Sequence, residues 1–564
     1  MIQLGISAFY HDSAACIVKD GKVLHAIEQE KLSGIKHDDS FPVDAIKWVL
    51  RASRLTIKDV DEVCWYENPD LKRARVLKSF NKYPIRTFFK RLKFLRERKE
   101  NQNPSFLLAK HFLYQGTVKW VEHHRSHAAF SYLTSPYKDA TIVTIDGVGE
   151  FETVTISKGT ENSIEKLYSI NFPESLGMFY STFTAFLGFK PNEGEYKVMG
   201  MAGYGDANKY VPFINKLFRF NKETIFSFYP EYFAWEYSDK IMFTSELCNL
   251  LGRGPRLPEE EITQDDYDLA AAVQFVYEKQ FSRILEKAKE LVNSDNLCLG
   301  GGCAYNGLAN TGAYKYYSSV HIPYAPSDAG SAIGACLAEY KGVRKDNSVP
   351  YIGPSFNDIS IRTQLEYFGN KIYYFKYPTE ERFLTKVATL IHSGNIIGWF
   401  QGNMEFGARA LGNRSILASP LKDGIKDKIN KVIKKREGFR PFAPSCIEED
   451  AKMFFNIKEP IPYMNQVVEV NRNHRLPSIT HIDNTARVQT VNKNFNPRYY
   501  NLLLALKRIS GYPICLNTSF NFKDQTITVT PKQAVERFLD SKMDFLAIEN
   551  YLIIKMKKLN FYKL

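Results

Sequence analysis

Residues 2–30 read IQLGISAFYHDSAACIVKDGKVLHAIEQE, three short apolar runs separated by two turns. The first turn is the tripeptide HDS at 11–13, and the second is the pair Asp20-Gly21, which strongly favours a tight hairpin. Residues 141–157, TIVTIDGVGEFETVTIS, show the same design with an Asp-Gly pair at 146–147. The two stretches therefore predict β-hairpins whose turns carry small or polar residues.

A third stretch, LCLGGGCAYNGLANTGAY at 297–314, predicts a strand that enters a glycine turn and then a helix. Glycine allows the backbone to approach a phosphate closely, so we expect Gly301, Gly302 and Asn306 to bind a nucleotide. A helix is expected at 268–293. The order of the three turns resembles the superfamily of sugar kinases, acetate kinase, actin and heat-shock chaperones. The alternative is that they are ordinary hairpins of an α/β sheet.

The chain has 564 residues and divides at a polar, turn-rich stretch, 343–356, between two mixed segments. We therefore expect an α/β protein with a duplicated actin- and sugar-kinase-like domain at 1–350 and a second, mixed α/β domain at 356–564. The second domain is expected to begin with a helix at about 380–393, followed by the strand NIIGWF at 395–400.

Composition excludes several classes of protein. Hydrophobic residues make up 44% of the chain and charged residues 24%, close to globular averages, which excludes disorder of the whole chain. No apolar run reaches about 18 residues, so no transmembrane helix is expected, and the N-terminus lacks the pattern of a secretory signal. Eight cysteines without a CxxC pair are typical of reduced thiols in a cytoplasmic protein.

The net charge of +13 is concentrated in one segment. Residues 72–99 contain twelve Lys and Arg and one acid, Glu97, so this segment alone carries +11. Such a patch could bind nucleic acid, an anionic membrane or an acidic substrate. The alternative is a solvated helix pair whose aliphatic stems and aromatic side chains pack on the body of the protein.

Three of the eleven histidines fall within five residues, in VEHHRSHAAF at 121–130. His123 and His127 are four residues apart, so they share a helix face and can reach one metal ion. Oxygen ligands must complete the site, and Asp146 and Asp328, each beside a small residue, are the candidates. We expect a divalent metal, iron first, with zinc or manganese as alternatives that these ligands do not distinguish. The alternative is a capped helix with one surface and one packed histidine.

The chain also resembles a known family in motifs that span nearly its whole length. It is similar to the nodulation-factor and antibiotic O-carbamoyltransferases. The motifs that carry the resemblance are GISAFYHDSAA (5–15), EHHRSHAAFSY (122–132), NEGEYKVMGMAGYG (192–205), MEFGARALGNRSILA (404–418), KKREGFRPFAPS (434–445), TARVQTV (485–491) and LNTSFN (516–521). The resemblance implies an N-terminal domain similar to the tRNA threonylcarbamoyl-transfer subunit and a C-terminal domain that forms an adenylate.

The resemblance also implies a reaction in two steps. Carbamoyl phosphate and ATP, the latter with Mg²⁺, form carbamoyladenylate in the C-terminal domain. The N-terminal domain then transfers the carbamoyl group to a hydroxyl of a sugar, glycan precursor or secondary metabolite, and AMP leaves. Enclosing this unstable intermediate within one chain protects it from water.

The C-terminal domain must hold two polyanions, and arginine is suited to bidentate phosphate binding. The expected binding residues are arginines and polar side chains near glycine and proline turns. They are Arg409, Arg414, Arg436, Arg440, Arg487, Asn517 and Ser519. The alternatives are surface charges and a plain turn.

In the N-terminal domain, His11 is the expected base for the acceptor hydroxyl, and Asp12 is expected to orient it or to bind the acceptor. Lys36 is expected to reach the carbamoyl group or a phosphate. Glu193 and Lys197 are expected to pair and hold the intermediate. An Asx turn at Asp12 and a charged pair at a helix start are the structural alternatives.

Two other functions compete with this one. A tRNA-modifying enzyme that transfers a threonylcarbamoyl group is supported mainly by the basic segment. A nucleic-acid partner is nevertheless not expected, because no stacked aromatic RNA motif accompanies that segment. A non-catalytic nucleotide-binding regulator is disfavoured by the complete set of metal ligands. The identity of the acceptor and the oligomeric state stay open, with a homodimer as one alternative.

Overall fold

The structure, a computed structural model, describes residues 1–96, 103–219, 224–238 and 240–557. The chain divides into two units. The first comprises Met1–Gln29 and His37–Ser348, and the second comprises Glu30–Lys36 and Val349–Leu564. Within the described part of the chain, no helix is long and apolar enough to cross a membrane.

The first unit contains two five-stranded sheets with the same topology. Its strands are β1 (Ile2–Ser7), β2 (Ala14–Lys19), β3 (Lys22–Glu28), β4 (Glu62–Trp65), β5 (Val118–Trp120), β6 (Asp139–Ile145), β7 (Glu152–Thr160), β8 (Ser163–Asn171), β9 (Phe218–Arg219), β10 (Ser227–Phe228), β11 (Asn296–Gly300) and β12 (Ser319–His321). The order β3-β2-β1-β4-β5 in one sheet matches β8-β7-β6-β11-β12 in the other. In each sheet an antiparallel meander is followed by two strands parallel to its first strand. The predicted duplicated fold of the actin and sugar kinase superfamily is confirmed.

The helices that precede residue 349 are α1 (Gln29–Ser33), α2 (Val43–Ala52), α3 (Pro69–Lys82), α4 (Phe88–Arg96), α5 (Pro104–Phe112), α6 (His123–Leu133), α7 (Leu176–Phe186), α8 (Glu195–Ala202), α9 (Val211–Ile214), α10 (Ser245–Leu251), α11 (Gln264–Leu291), α12 (Gly307–Gly312) and α13 (Asp328–Glu339). All of them except α1, most of which belongs to the second unit, belong to the first unit. The helix predicted at 268–293 is α11. The basic segment forms α3 and α4, and its residues 97–99 lie outside the described residues.

The predicted hairpin turns are also present. In the turn between β2 and β3, Asp20 and Gly21 both have positive φ, 49° and 76°. This is the conformation that a two-residue hairpin turn requires. The predicted hairpin at 141–157 is formed by β6 and β7, which residues 146–151 join.

Helices α6 and α13 approach each other closely because glycines lie at their contact. A Cβ atom on Gly334 would lie 2.0 Å from the carbonyl oxygen of Ser126, and one on Gly330 would lie 2.5 Å from the Phe130 ring. Neither position can carry a larger side chain without moving a helix. The stretch SDAGSAIGA therefore brings the start of α13 next to the histidines of α6.

The second unit is built on an eight-stranded sheet in the order β13-β22-β21-β14-β15-β20-β16-β19, with β17 and β18 as a separate pair. Its strands are β13 (Ile372–Lys376), β14 (Ile397–Phe400), β15 (Arg414–Ala418), β16 (Ala443–Ile447), β17 (Val468–Glu469), β18 (Thr485–Ala486), β19 (Gln489–Val491), β20 (Ile514–Ser519), β21 (Phe545–Ile548) and β22 (Tyr551–Lys555). Its helices are α14 (Asp358–Glu366), α15 (Glu380–His392), α16 (Ile425–Asp427), α17 (Ala451–Phe454), α18 (Pro497–Ser510) and α19 (Pro531–Asp540).

Two buried clusters cover this sheet. Helices α15 and α18 pack with Ile397 and Trp399, whereas α14 and α19 pack with Ile396 and Phe400. Side chains alternate between the faces of a strand, so the two clusters lie on opposite faces. The helix predicted at 380–393 and the strand predicted at 395–400 are α15 and β14.

Candidate active site and metal centre

Four buried side chains converge on one point of the first unit. His123 and His127 lie on α6, Asp146 directly follows β6, and Asp328 begins α13. One ligand atom from each residue lies within 4.8 Å of the others. The separation is 2.9 Å from His127 Nε2 to Asp146 Oδ2 and 3.1 Å between the two histidine Nε2 atoms. Asp328 Oδ1 lies 3.3 Å from His127 Nε2 and 3.6 Å from His123 Nε2.

This arrangement, which we call the metal centre, fits a metal ion. Both carboxylate oxygens of Asp328 are buried, and neither has a hydrogen-bond partner among the residues that the structure describes. Ligand atoms bound to one ion at about 2.1 Å lie about 3.0 to 3.4 Å apart, close to the separations found here. The Nε2 atoms of His123 and His127 face each other, which is the arrangement expected if the lone pairs of both atoms are directed at one cation. The site would hold a divalent ion by two nitrogen and two oxygen ligands.

The charges of the centre suit a cation. Burial alone would lower the pKa of His127, but the adjacent carboxylates of Asp146 and Asp328 outweigh it and raise the pKa to about 9. Burial likewise opposes the charge of Asp146, yet its bonds with the histidines hold the pKa of its carboxyl well below the usual value. Because a bound metal needs a neutral imidazole, metal binding would release the proton of His127.

His124 serves a different purpose from its neighbours. Its Nδ1 lies 2.6 Å from Thr144 Oγ1, and its Nε2 lies 3.0 Å from the carbonyl oxygen of Glu152. Burial and the neighbouring histidines lower the pKa of His124 well below its ordinary value. The neutral His124 ring therefore links α6 to β6 and β7 by hydrogen bonds.

The ring nitrogen of His127 that faces away from the metal centre, Nδ1, contacts α13. Ser331 Oγ lies 2.9 Å from it. We expect Ser331→Ala to lower the metal affinity about 10- to 100-fold, since such a partner fixes the orientation of a ligand ring. Metal content after dialysis against graded chelator measures the effect. Ser126→Ala is the matched control, because it removes a buried serine hydroxyl of α6 that donates to the carbonyl oxygens of Tyr66 and Glu122. Equal metal retention by the two variants would contradict this role.

In the turn at residues 11–13, the carboxylate of Asp12 contacts two histidines, His11 and His37. Asp12 Oδ2 lies 3.1 Å from His11 Nδ1, and Oδ1 lies 2.7 Å from His37 Nδ1. Phe9 and Asp12 have φ of 73° and 53°, in the left-handed region that residues with side chains rarely adopt. Burial lowers the pKa of His11, but the charge of Asp328 and the bond to Asp12 outweigh it and raise the pKa to about 10. Backbone strain of this kind is common at functional sites.

The glycine turn after β11 lies against the end of β6. Gly301 has a φ of 87°, and a Cβ there would lie 2.2 Å from the carbonyl oxygen of Ile145. A Cβ on Gly302 would lie 3.2 Å from Asp146 Oδ1. The turn predicted to bind a nucleotide therefore borders the metal centre.

Gly301→Ala is expected to lower the free energy of unfolding by at least about 2 kcal/mol, because backbone strain adds to the clash with Ile145. Gly312→Ala is the matched control, since Gly312 ends α12 and, beyond its chain neighbours and its own helix backbone, no described atom lies within 4 Å of an added Cβ. Chemical denaturation measures both variants. Equal stabilities would show that the turn can relax without cost.

The remaining predicted residues of the amino-terminal half have local contacts. Asn306 caps α12 and exchanges two hydrogen bonds of 3.0 Å with Gln274, so its amide is used within the protein. Glu193 forms an ion pair with Lys190. Lys197 Nζ lies 5.0 Å from the centroid of the Phe189 ring. Lys36 is half-buried in the turn after α1 and belongs to the second unit.

Arg414, predicted to bind phosphate, is fully buried in the second unit. Its guanidinium donates to the backbone carbonyls of Gln401, Gly402 and Pro354 and lies 3.7 Å from the centroid of the Phe400 ring. Burial lowers the pKa of Arg414 to about 10. These bonds give Arg414 a structural role in the loop that joins β14 to β15.

Asn517 is also buried, and its side-chain amide nitrogen is fully engaged. It lies 3.1 Å from each of three acceptors, the Ala410 carbonyl, Ser445 Oγ and Gln489 Oε1. This network links β20 to β16, to β19 and to the loop that precedes β15. Asn517, predicted to bind phosphate or ribose, therefore uses its amide nitrogen within the protein.

A buried lysine was missed by the sequence analysis. Lys434 is only 3% exposed, and its ammonium donates to Ser519, 2.6 Å from the carbonyl oxygen and 3.2 Å from Oγ. Burial, followed by the charges of Arg436, Arg440 and Arg537, lowers the pKa of Lys434 well below its ordinary value. We call these four residues the cationic cluster. Lys434 is buried and the three arginines are half-buried. A concentration of positive charge of this kind is typical of an anion-binding site.

The predicted arginines divide between this cluster and neighbouring loops. Arg436 Nε donates to Asn430 Oδ1 at 2.8 Å, and Arg440 pairs with Glu437 at 3.3 Å. Arg409, in the loop between β14 and β15, and Arg487, between β18 and β19, are half-buried. The structure therefore brings Arg436, Arg440 and Ser519 together around Lys434.

The fold and the site define a class, a two-unit α/β protein whose first unit has the duplicated fold of actin and sugar kinases and contains the metal centre. Family models for the carbamoyltransferase N-terminus and C-terminus match residues 2–337 and 388–555. The chain belongs to the carbamoyltransferase family and is an enzyme of that class.

Several relatives are similar over most of the chain. An uncharacterized protein of Synechocystis is 37% identical, over 98% of this chain and 96% of its own length. The nodulation protein NolNO of Sinorhizobium fredii is 33% identical, over 97% and 80%. The 3'-hydroxymethylcephem-O-carbamoyltransferase of Amycolatopsis lactamdurans is 26% identical, over 91% and 92%.

Proposed function

We propose that the protein is an ATP-dependent O-carbamoyltransferase. It forms carbamoyladenylate from carbamoyl phosphate and ATP, the latter with Mg²⁺, and carbamoylates a hydroxyl of a sugar, glycan precursor or secondary metabolite. The observation that carries the proposal is the metal centre beside a glycine turn in a carbamoyltransferase. The name of the cephem relative supports a hydroxyl acceptor. Iron is the proposed metal, with zinc or manganese as alternatives.

We assign the first step to the second unit. Carbamoyl phosphate and water give carbamate and phosphate, and the carbamate oxygen then attacks the α-phosphorus of ATP, which releases pyrophosphate. Carbamoyl phosphate, carbamate and ATP are anions that repel one another, so the cationic cluster lowers the energy of bringing them together. Arg436 and Arg440 offer planar guanidinium groups for phosphate, and Lys434 adds a buried ammonium. Arg409 and Arg487 are candidates for the second anion.

We assign the second step to the first unit. The acceptor oxygen attacks the carbamoyl carbon, the bond from that carbon to AMP breaks, and a neutral His11 accepts the hydroxyl proton. The charge of Asp328 raises the pKa of His11, so a divalent ion bound by Asp328 would favour this neutral form. Asp12 holds the Nδ1 side of His11, which leaves Nε2 as the proton acceptor, and its carboxylate balances the imidazolium charge. A divalent ion in the metal centre would neutralise charge on the leaving phosphate.

The other predicted residues have roles within the same step. Gly301 and Gly302 permit a close approach of the nucleotide phosphate to the backbone. Glu193 and Lys197 are proposed to contact the intermediate. Lys36, which belongs to the second unit, is proposed to reach its carbamoyl group or a phosphate where the intermediate forms. We also propose a cytoplasmic location, because all eight cysteines are free thiols.

Incubation with carbamoyl phosphate, ATP and a library of hydroxylated sugars tests the proposal. AMP release is expected to require both donors, and mass spectrometry is expected to find a sugar that has gained one carbamoyl group. Two outcomes would contradict the proposal. AMP release that requires tRNA would indicate a tRNA-modifying enzyme, and stabilisation by nucleotide without turnover would indicate a regulator.

A further inference from the structure

The helix pair α3–α4 exposes a row of large apolar side chains. Ile85 is 91% exposed, Phe89 83%, Phe88 54% and Leu92 37%. Their spacing of three or four residues places them on one side of the turn before α4 and of α4 itself. Water contact with so much contiguous apolar surface is unfavourable, which indicates that this side has a partner.

Basic residues flank this row. Between 69 and 94 the chain contains nine Lys and Arg and one acid, Asp70. Arg86 and Arg91 are exposed and lie next to the apolar row in the sequence, and Lys78 and Lys82 are exposed on α3. We call the six residues Ile85, Arg86, Phe88, Phe89, Arg91 and Leu92 the basic apolar surface.

Contacts on the other side hold this surface in place. Phe80 and Phe94 join the two helices edge to face, with ring centroids 5.5 Å apart, and Phe80 is buried. Lys82 and Tyr83 both bond Glu236, at 2.7 and 2.8 Å. Because these residues anchor the helix pair to the first unit, the exposed row is a fixed feature and not an unpacked end.

We propose that the basic apolar surface binds an anionic phospholipid bilayer. Exposed Phe, Ile and Leu side chains flanked by Arg match an element that lies in the membrane interface, with its apolar side in the acyl boundary and its cations at the lipid phosphates. A nucleic acid would also attract the cations, but its phosphates would leave Ile85 and Leu92 without an apolar partner. The mixture of charge and apolar area therefore favours lipid.

Co-sedimentation with vesicles tests the proposal. The full chain is expected to bind vesicles of equal parts phosphatidylglycerol and phosphatidylcholine at least about tenfold more strongly than pure phosphatidylcholine vesicles. Raising the salt from about 0.1 M to about 1 M shortens the Debye length from about 10 Å to about 3 Å, so it should weaken this binding.

Variants separate the apolar contribution from the ionic one. Ile85→Ser with Phe89→Ser is expected to lower the vesicle partition coefficient at least about tenfold. Ile359→Ser with Phe275→Ser is the matched control, because these side chains are 77% and 53% exposed elsewhere in the chain. Arg86→Gln with Arg91→Gln should remove most of the preference for the anionic vesicles.

Three outcomes would overturn the proposal. The first is that Ile85→Ser with Phe89→Ser binds the anionic vesicles as strongly as Ile359→Ser with Phe275→Ser does. The second is binding of a short RNA, in preference to vesicles, that the serine substitutions leave unchanged. The third is self-association that the same substitutions abolish, without vesicle binding, which would make the surface an interface between copies. These measurements do not depend on carbamoyl transfer.

Discussion

Replacing His127 with alanine is expected to reduce carbamoyl transfer to the acceptor at least about a hundredfold while carbamoyladenylate formation continues. His127 Nε2 lies within 3.3 Å of three other members of the metal centre, so its loss removes both a ligand and the partner of two carboxylates. Carbamoyl phosphate-dependent exchange of pyrophosphate into ATP measures the first step, and the carbamoylated sugar measures the second.

His124→Asn is the matched control for this variant. His124 lies on the same turn of α6 and is equally buried, but it bonds Thr144 and Glu152 instead of the metal centre. The control is expected to keep its metal and its transfer activity, at some cost in stability. Equal loss of exchange and transfer in His127→Ala would show that the two steps do not occur at separate sites.

Replacing Lys434 with methionine is expected to impair carbamoyladenylate formation and to leave the metal centre intact. Pyrophosphate exchange should fall about a hundredfold, because a buried ammonium in contact with a phosphate contributes about 2–5 kcal/mol when one partner is removed. Metal content should stay unchanged. The depressed pKa of Lys434 reflects burial and the adjacent arginines, and a bound anion would relieve that repulsion.

Lys431→Met is the control for the donor site, since Lys431 lies one turn earlier and is exposed. It removes the same charge from the same segment, and its exchange activity should match that of the unmodified protein. Normal exchange in Lys434→Met would exclude the cationic cluster as the donor site. Loss of metal in that variant would indicate a general loss of structure.

Much of the first unit could be predicted because its signals are local. The Asp-Gly pairs specify hairpin turns, and the HxxxH spacing specifies one face of a helix. The convergence of Asp146 and Asp328 on that face needs the tertiary fold, yet it could be anticipated. Each aspartate follows an apolar stretch and precedes small residues that let elements approach closely, as Gly330 and Gly334 show.

The second unit was harder to predict because burial of a charged side chain leaves little trace in a sequence. Arg414 lies in a stretch with glycine and small neighbours, as a phosphate-binding arginine would, but its donors are used by backbone carbonyls. Lys434 lies in the run KKRE, which looks solvated, although it is buried and Lys435 is exposed. Only the tertiary structure separates these cases.

The most direct test of the account is the metal content of the purified full chain. The account predicts about one divalent transition-metal ion per chain, measured by elemental mass spectrometry, and none in Asp328→Asn. This substitution removes a buried carboxylate that has no hydrogen-bond partner in the described structure. A natural protein without such an ion, or an Asp328→Asn variant with undiminished metal, would contradict it.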